Sequence, residues 1–395
     1  MLDNGFFHLG GRTSRLGVRR EGDRSAGPHR RRPEHTRRQA LLTALLLGLE
    51  GGLVAVPAAS AAGGGIPPAT NCTARLLAGL GGQGSNAIAA SSNGLVVGIA
   101  DTGTGESAPV LWRDGQPIPL TVPLQTVLPT SVNRAGVVVG TGYDATNEVL
   151  VGWWWQNGVY QQLPVGAGDI ALPSVVSDSG VVVGALINDE AHSDGPGADD
   201  DERPAVWSTV TAAPRELGLP PGTRGGHAFA IGPDGTIGGV ALADGGTPVL
   251  WAPTGTPRTL PTIAGRGGVV LAIDSAGQAL GQSAVPGGTH AAAWAASGPI
   301  ADLSAAAGGP NSGALAGIAG IAVGAGSSPS FRASQPQAVM WVGKIARILQ
   351  PGSDGQFAGV SGSATSVSRQ GPRTVVVGFS AAANGLRRAT EWSCQ

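Results

Sequence analysis

Residues able to do chemistry are sparse in this 395-residue chain. Beyond residue 61 there are three histidines, His192, His227 and His290, and two cysteines, Cys72 and Cys394. No two of the histidines are near each other in sequence. The Gly-x-Ser-x-Gly elbow of hydrolases is absent, as are the phosphate-binding loop and the His-Glu-x-x-His zinc motif. The Ser-x-Asp-x-Gly-x-Thr-Trp box of sialidases is absent too. No residue is therefore nominated as catalytic.

Two groups of residues do stand out. Asn188-Asp189-Glu190-Ala191-His192-Ser193-Asp194 is followed by Asp199-Asp200-Asp201-Glu202. Hard oxygen ligands at this density suit Ca²⁺, with Asp199, Asp201 and Glu202 as the candidate metal ligands. The segment lacks the alternating ligands and fixed glycine of known calcium loops, and a solvated acidic loop accounts for it as well. Ca²⁺ is the one cofactor the chain invites; otherwise none is expected. The second group is Trp153-Trp154-Trp155. Alternation in a strand sends Trp153 and Trp155 to one face and Trp154 to the other. Trp153 and Trp154 are candidate ligand-binding rings, able to stack on a sugar or peptide; extra packing inside the fold is the competing reading.

What must position these residues is a repeat, which reads best from two marks. The first is an apolar strand ending in glycine: Gly94-Leu95-Val96-Val97-Gly98, then strands ending at Gly140, Gly184, Gly239, Gly281, Gly324 and Gly378. The second is a tryptophan: Trp112, Trp155, Trp207, Trp251, Trp294, Trp341 and Trp392. The two alternate strictly, seven times each. A small residue or proline stands three places before each tryptophan, and a leucine follows it, as at Leu120, Leu163, Leu217 and Leu260. Each unit reads as four short strands, a to d. Asn-Gly, Ser-Gly and Asp-Gly pairs before strand b suit tight hairpins. Continuous valine runs suit strands buried on both faces. The fold expected is an all-β, seven-bladed propeller of four-stranded antiparallel blades.

The last unit stops at Trp392-Ser393-Cys394-Gln395, without a strand d. Cys72-Thr73-Ala74-Arg75-Leu76-Leu77 looks like a strand d with nothing before it. The N-terminal strand is expected to complete the last blade, and a Cys72–Cys394 disulfide then replaces the missing c–d turn.

Ahead of the repeats stand ten arginines in residues 1–38, an apolar run from Ala40 broken at Glu50-Gly51-Gly52, and Ala59-Ser60-Ala61. This is the plan of a secretory signal over 1–61, with a linker over 62–71 and the propeller over 72–395. Thr36-Arg37-Arg38 gives it a twin-arginine cast. The apolar run is too short to span a bilayer, so no membrane association is expected after cleavage. Residues 62–395 carry 15 basic and 21 acidic groups and no basic stripe. Nucleic acid is an unsuitable partner for such a surface.

The unit resembles the extracellular HAF repeat, a Gly-x-Val-Val-Gly strand followed by His-Ala-Phe-x-Trp, glycine and leucine. The resemblance covers residues 73–395. Its His-Ala-Phe part is eroded to His290-Ala291-Ala292-Ala293-Trp294, and His227-Ala228-Phe229 spells the triplet in strand a, outside the repeat frame. The resemblance implies an exported propeller-like protein and carries over no catalytic residue. The function expected is a secreted, monomeric, non-catalytic module that binds an extracellular glycan or protein through its loop face. The alternatives are a polymer-degrading hydrolase or lyase and a structural envelope protein.

Overall fold

The computed structural model describes residues 69–188, 202–243, 245–295, 299–304, 311–326 and 336–395. Its strands form seven four-stranded antiparallel sheets. Blade one runs Gly81–Ala90, Val96–Thr102, Ser107–Arg113 and Gln116–Pro119, strands a to d in sequence order. Blades two to six repeat this order, with strands a at Gln125–Val132, Asp169–Val176, Gly225–Ile231, Gly268–Ile273 and Ser312–Ile318. Blade seven takes Gly359–Gln370, Arg373–Ala382 and Arg387–Cys394 as strands a to c. Its strand d is the N-terminal Cys72–Leu76.

The seven strands a contact one another in a closed circle and so surround the central axis. Strand b has apolar side chains on both faces, so a blade alone cannot bury itself. Each apolar cluster accordingly lies between two blades. Leu77, Val375 and Val377 of blade seven pack with Ala87, Val96 and Trp112 of blade one, and six equivalent clusters complete the ring.

The marks of the repeat are joined by hydrogen bonds. The backbone N–H of each strand-d leucine donates to the carbonyl of the residue three before the tryptophan. Leu120 meets Pro109 at 3.0 Å, Leu163 meets Gly152 at 2.9 Å, and Leu77 meets Ala389 of the closing blade at 2.8 Å. The small size at that position has a steric cause at Gly152, where a Cβ would strike the Ala171 backbone in the next blade's strand a.

The terminal glycine of strand b answers to a β-bulge. In every blade the register between strands a and b shifts at one shared place, leaving Ile88, Thr130, Ser174, Phe229, Leu271, Leu315 and Thr365 unpaired; blades one, two and seven have a second shift nearer the start of strand a. The bulge pushes a strand-a carbonyl over the glycine of strand b. A Cβ on Gly98 would collide with the Asn86 carbonyl, and one on Gly378 with that of Ser363. Gly320, in the a–b turn of blade six, answers to a different demand, with φ at +80° and open space around it.

The ring closes by register. Cys72 lies opposite Cys394 and Leu76 opposite Thr390, and the two cysteines form a disulfide. Arg75 adds an ion pair to Glu391 at 3.1 Å. Losing the disulfide through Cys72→Ala with Cys394→Ala should lower the unfolding free energy by at most roughly 6 kcal/mol, the chain-entropy value for so long a loop. Urea titration of the oxidised wild type and the double variant checks this, and an unchanged midpoint contradicts it. Gly98→Ala should cost about 2–3 kcal/mol through overpacking against backbone that cannot yield, whereas Gly320→Ala should cost about 1–2 kcal/mol for its φ alone. Thermal melts of the two single variants compare them directly.

Candidate functional site

The seven repeat tryptophans all lie on strand c and pack toward the preceding blade. Six of them donate their indole N–H to a carbonyl at the end of that blade's strand d. Trp112 reaches Ala78 at 2.7 Å, Trp207 reaches Pro164 at 2.8 Å, and Trp392 reaches Gln350 at 2.6 Å. Trp251, Trp294 and Trp341 make the same bond to Gly218, Pro261 and Leu303.

Blade two is the exception. The buried indole N–H of Trp155 has no partner among the described residues. It is the most exposed of the seven at 8%, against 0–3% for the others. The cause lies two residues earlier. The place of Trp153 is taken in other blades by Val110, Ala205, Val249 and Ala292, each opposite its strand-b glycine. Trp153 brings a full indole to that place, over Gly140, and lies wholly buried in the cluster between blades one and two. Two indoles share a space that elsewhere holds one.

Trp153, named with Trp154 as a candidate ligand-binding ring, is 0% exposed in this structure. Trp154 points the other way, as alternation requires, and packs half-buried against the cluster between blades two and three. Trp155, although 8% exposed, borders a groove of about 350 Å³ between blades one and two. The apolar part of its lining is Leu95, Leu111, Ile118 and Trp155. Around these stand Asn93, Asn157, Asp114, Arg113 and Arg134. Asp114 (φ +54°) and Asn157 (φ +51°) are in the left-handed region and are followed by Gly115 and Gly158, also at positive φ. These are the tight Asp-Gly and Asn-Gly turns the sequence signals. They project the c–d turns to the groove's edge. Asn93 donates to the Arg134 carbonyl at 3.0 Å and ties the two a–b turns together. Neither Arg113 nor Arg134 has an ion-pair partner among the described residues.

A second constellation lies at the axis. Ser174 is the bulge residue of strand a in blade three. Its Oγ is 2.8 Å from Nε2 of His227, on strand a of blade four. Nδ1 of the same ring is 2.8 Å from Oε2 of Glu202, just before strand c of blade three. The Gly226 N–H donates to the Glu202 carbonyl at 2.7 Å, which fixes Glu202 beside strand a of the next blade. The imidazole is stacked on Phe229, with ring centroids 4.3 Å apart and planes 9° apart. Sequence reasoning nominated Glu202 only as a metal ligand and set His227 aside as a chance triplet. The three residues come from two strands and the residue just before a third, and they span 53 positions, so no local spacing joins them. Asp199 and Asp201 lie outside the described residues. Among the described residues no three His, Cys, Asp or Glu side chains are grouped to hold a metal.

No family model matches the chain, and no curated protein matches it in sequence. Solved propellers are similar in fold. The β-propeller domain of the Trilobed protease from Pyrococcus furiosus, described as having an open velcro topology, aligns over 79% of this chain and 95% of its own. Its TM-score is 0.50, at 9% identity. YCF48 bound to D1 peptide aligns over 83% of this chain and 97% of its own, with TM-score 0.48 and 13% identity. SapL1 lectin in complex with alpha methyl fucoside aligns over 70% and 100%, with TM-score 0.38 and 13% identity. At these identities the likeness is one of fold.

The indole bond gives a measurable contrast. Trp207→Phe and Trp155→Phe remove similar ring volume, but only the first breaks an N–H···O=C bond and leaves the Pro164 carbonyl without its donor. Trp207→Phe should cost about 1–2 kcal/mol more than Trp155→Phe, read from paired denaturant titrations. Equal losses would contradict the role given to that bond.

Proposed function

We propose that the protein is an exported propeller module that binds an extracellular glycan or protein, with the groove between blades one and two as its ligand site. The observation that carries this reading is the groove itself, lined by the apolar Leu95, Leu111 and Ile118, the amides of Asn93 and Asn157, the carboxylate of Asp114, and the guanidinium groups of Arg113 and Arg134, which have no ion-pair partner among the described residues. About 350 Å³ falls in the size range of small-ligand pockets. The N–H of Trp155 gives up the carbonyl bond that its counterparts make, and its ring borders the groove.

The arginine pair favours a ligand bearing a carboxylate, an acidic sugar residue or an acidic side chain, because guanidinium groups meet carboxylates with paired hydrogen bonds. The disulfide fits an oxidising compartment, and the arginine-rich leader with its apolar run supports export. The eroded HAF pattern supports the same placement. No described helix is long and apolar enough to cross a membrane. Residues 189–201 of the acidic insert of blade three lie outside the described positions.

A glycan array and an acidic-peptide library, probed with the mature chain, test the reading. Bound ligands should be acidic. Arg113→Ala with Arg134→Ala should weaken their binding by at least about tenfold, the loss of one charge-assisted contact. Arg258→Ala, on strand d of blade four, should leave it unchanged. Binding indifferent to the groove pair would move the site elsewhere.

A further inference from the structure

We infer that Ser174, His227 and Glu202 form a hydrolytic triad at the central axis, able to cleave a small carboxylic ester. This activity is independent of the groove, which opens among the a–b and c–d turns. Glu202 is at the b–c end of its blade.

The hydrogen-bond logic runs in one direction. Nδ1 faces a carboxylate oxygen at 2.8 Å, so the proton of the neutral imidazole resides on Nδ1. Nε2 is then an acceptor, and the Ser174 hydroxyl at 2.8 Å donates to it. A nucleophile is thus bonded to a base, and the base is oriented by a third group, the relation that defines a serine triad on any fold. Phe229 fixes the plane of the ring from the side. Ser174 is half-buried on the innermost strand, while Pro173 before it is buried. The next two bulge positions around the ring are Phe229 and Leu271, apolar neighbours suited to an acyl group.

The repeat supplies its own controls. Where other blades carry a hydroxyl at the bulge, it serves the fold: Thr130 donates to the Pro173 carbonyl at 2.9 Å, and Thr365 to the Ala87 carbonyl at 3.0 Å. Both acceptors immediately precede the bulge residue of the next blade. By that rule Ser174 would reach for Ala228; its hydroxyl turns to the imidazole instead. The place of His227, two before the bulge, is Asn86, Leu128, Leu172, Val269, Gly313 or Ser363 elsewhere. Six blade interfaces are built without a histidine there, so propeller packing does not require one.

The reaction balances with water as the only co-reactant. Oγ of Ser174 bonds to the ester carbonyl carbon as its proton passes to Nε2. The ester C–O bond breaks, and the leaving alkoxide takes that proton. Water then attacks the Ser174 acyl ester through the same imidazole, and the acid and free serine are released. Ser174 and His227 are the catalytic residues; Glu202 positions the ring.

The mature, disulfide-bonded chain is treated with a fluorophosphonate probe and, separately, with p-nitrophenyl acetate. The probe should bond to Ser174, located by peptide mass mapping, and the acetate should be turned over. Ser174→Ala and His227→Gln should each lower kcat by at least about a hundredfold. Glu202→Gln should lower kcat with KM unchanged, which a purely structural role would not do. Acidic-ligand binding in the groove should be the same in all three. Label on another residue of the unmutated chain, or acetate turnover no greater than that of Ser174→Ala, overturns the triad whether or not any variant folds, and leaves the groove proposal standing.

Discussion

The structure depends on one interaction made between blades: an indole buried against the preceding sheet, with its N–H on a carbonyl at the end of that sheet's strand d. A four-stranded blade with valines on both faces has nowhere to hide them except against its neighbours. A tryptophan buries roughly 150–250 Å², about 4–6 kcal/mol at 25 cal/mol per Å². Its polar edge would forfeit part of this without an acceptor. The acceptor comes from the backbone just where strand d gives way to the next strand a. Trp112 takes it at Ala78, beside the N-terminal strand, so the first blade is completed by the last. Leaving the ring open would expose two blade faces and orphan one indole, which is why closure and packing are one requirement.

The strand-b glycine and the axial bulge are similarly one feature seen from two strands. The bulge gives strand a its extra residue at the axis and crowds a carbonyl onto strand b. Only a residue without Cβ accepts that crowding. Every blade therefore carries one unpaired residue at the same place on its innermost strand, and residues of several types fill it. Isoleucine, leucine, phenylalanine, threonine and serine all occupy the position. A site whose backbone is set by the repeat while its side chain is free is where a fold can acquire chemistry without losing stability.

Blade count, strand order, circular offset and the Cys72–Cys394 bridge were legible because each rests on the repeat, and a pattern restated seven times survives local erosion. The bulge was not legible: the unpaired residues share no type, so only the glycine opposite them betrays it. Trp153 and Trp155 were correctly placed on one face. Which of them stays buried depends on how two indoles share a space built for one, a matter of three-dimensional volume. Ser174, Glu202 and His227 were invisible as a set because neighbouring blades bring them together. The one available signal was negative: His227 fits no place in the repeat pattern.

That signal generalises. In a repeat protein the shared positions record what the fold needs, and a departure is informative in proportion to its cost. Beside Trp153, the N–H of Trp155 is buried without an acceptor among the described residues, a loss of about 1–3 kcal/mol, and its ring borders a groove lined in part by guanidinium groups. His227 places an imidazole, 7% exposed, in an interface that six other blades fill without one. Its two nitrogens would be unsatisfied there but for Ser174 and Glu202, each itself a departure from the residue types found at its place in other blades. The three side chains satisfy one another's hydrogen bonds, so removing any one leaves a polar partner without its contact. Propeller packing does not require the set, since six other blade interfaces form without a histidine at that place.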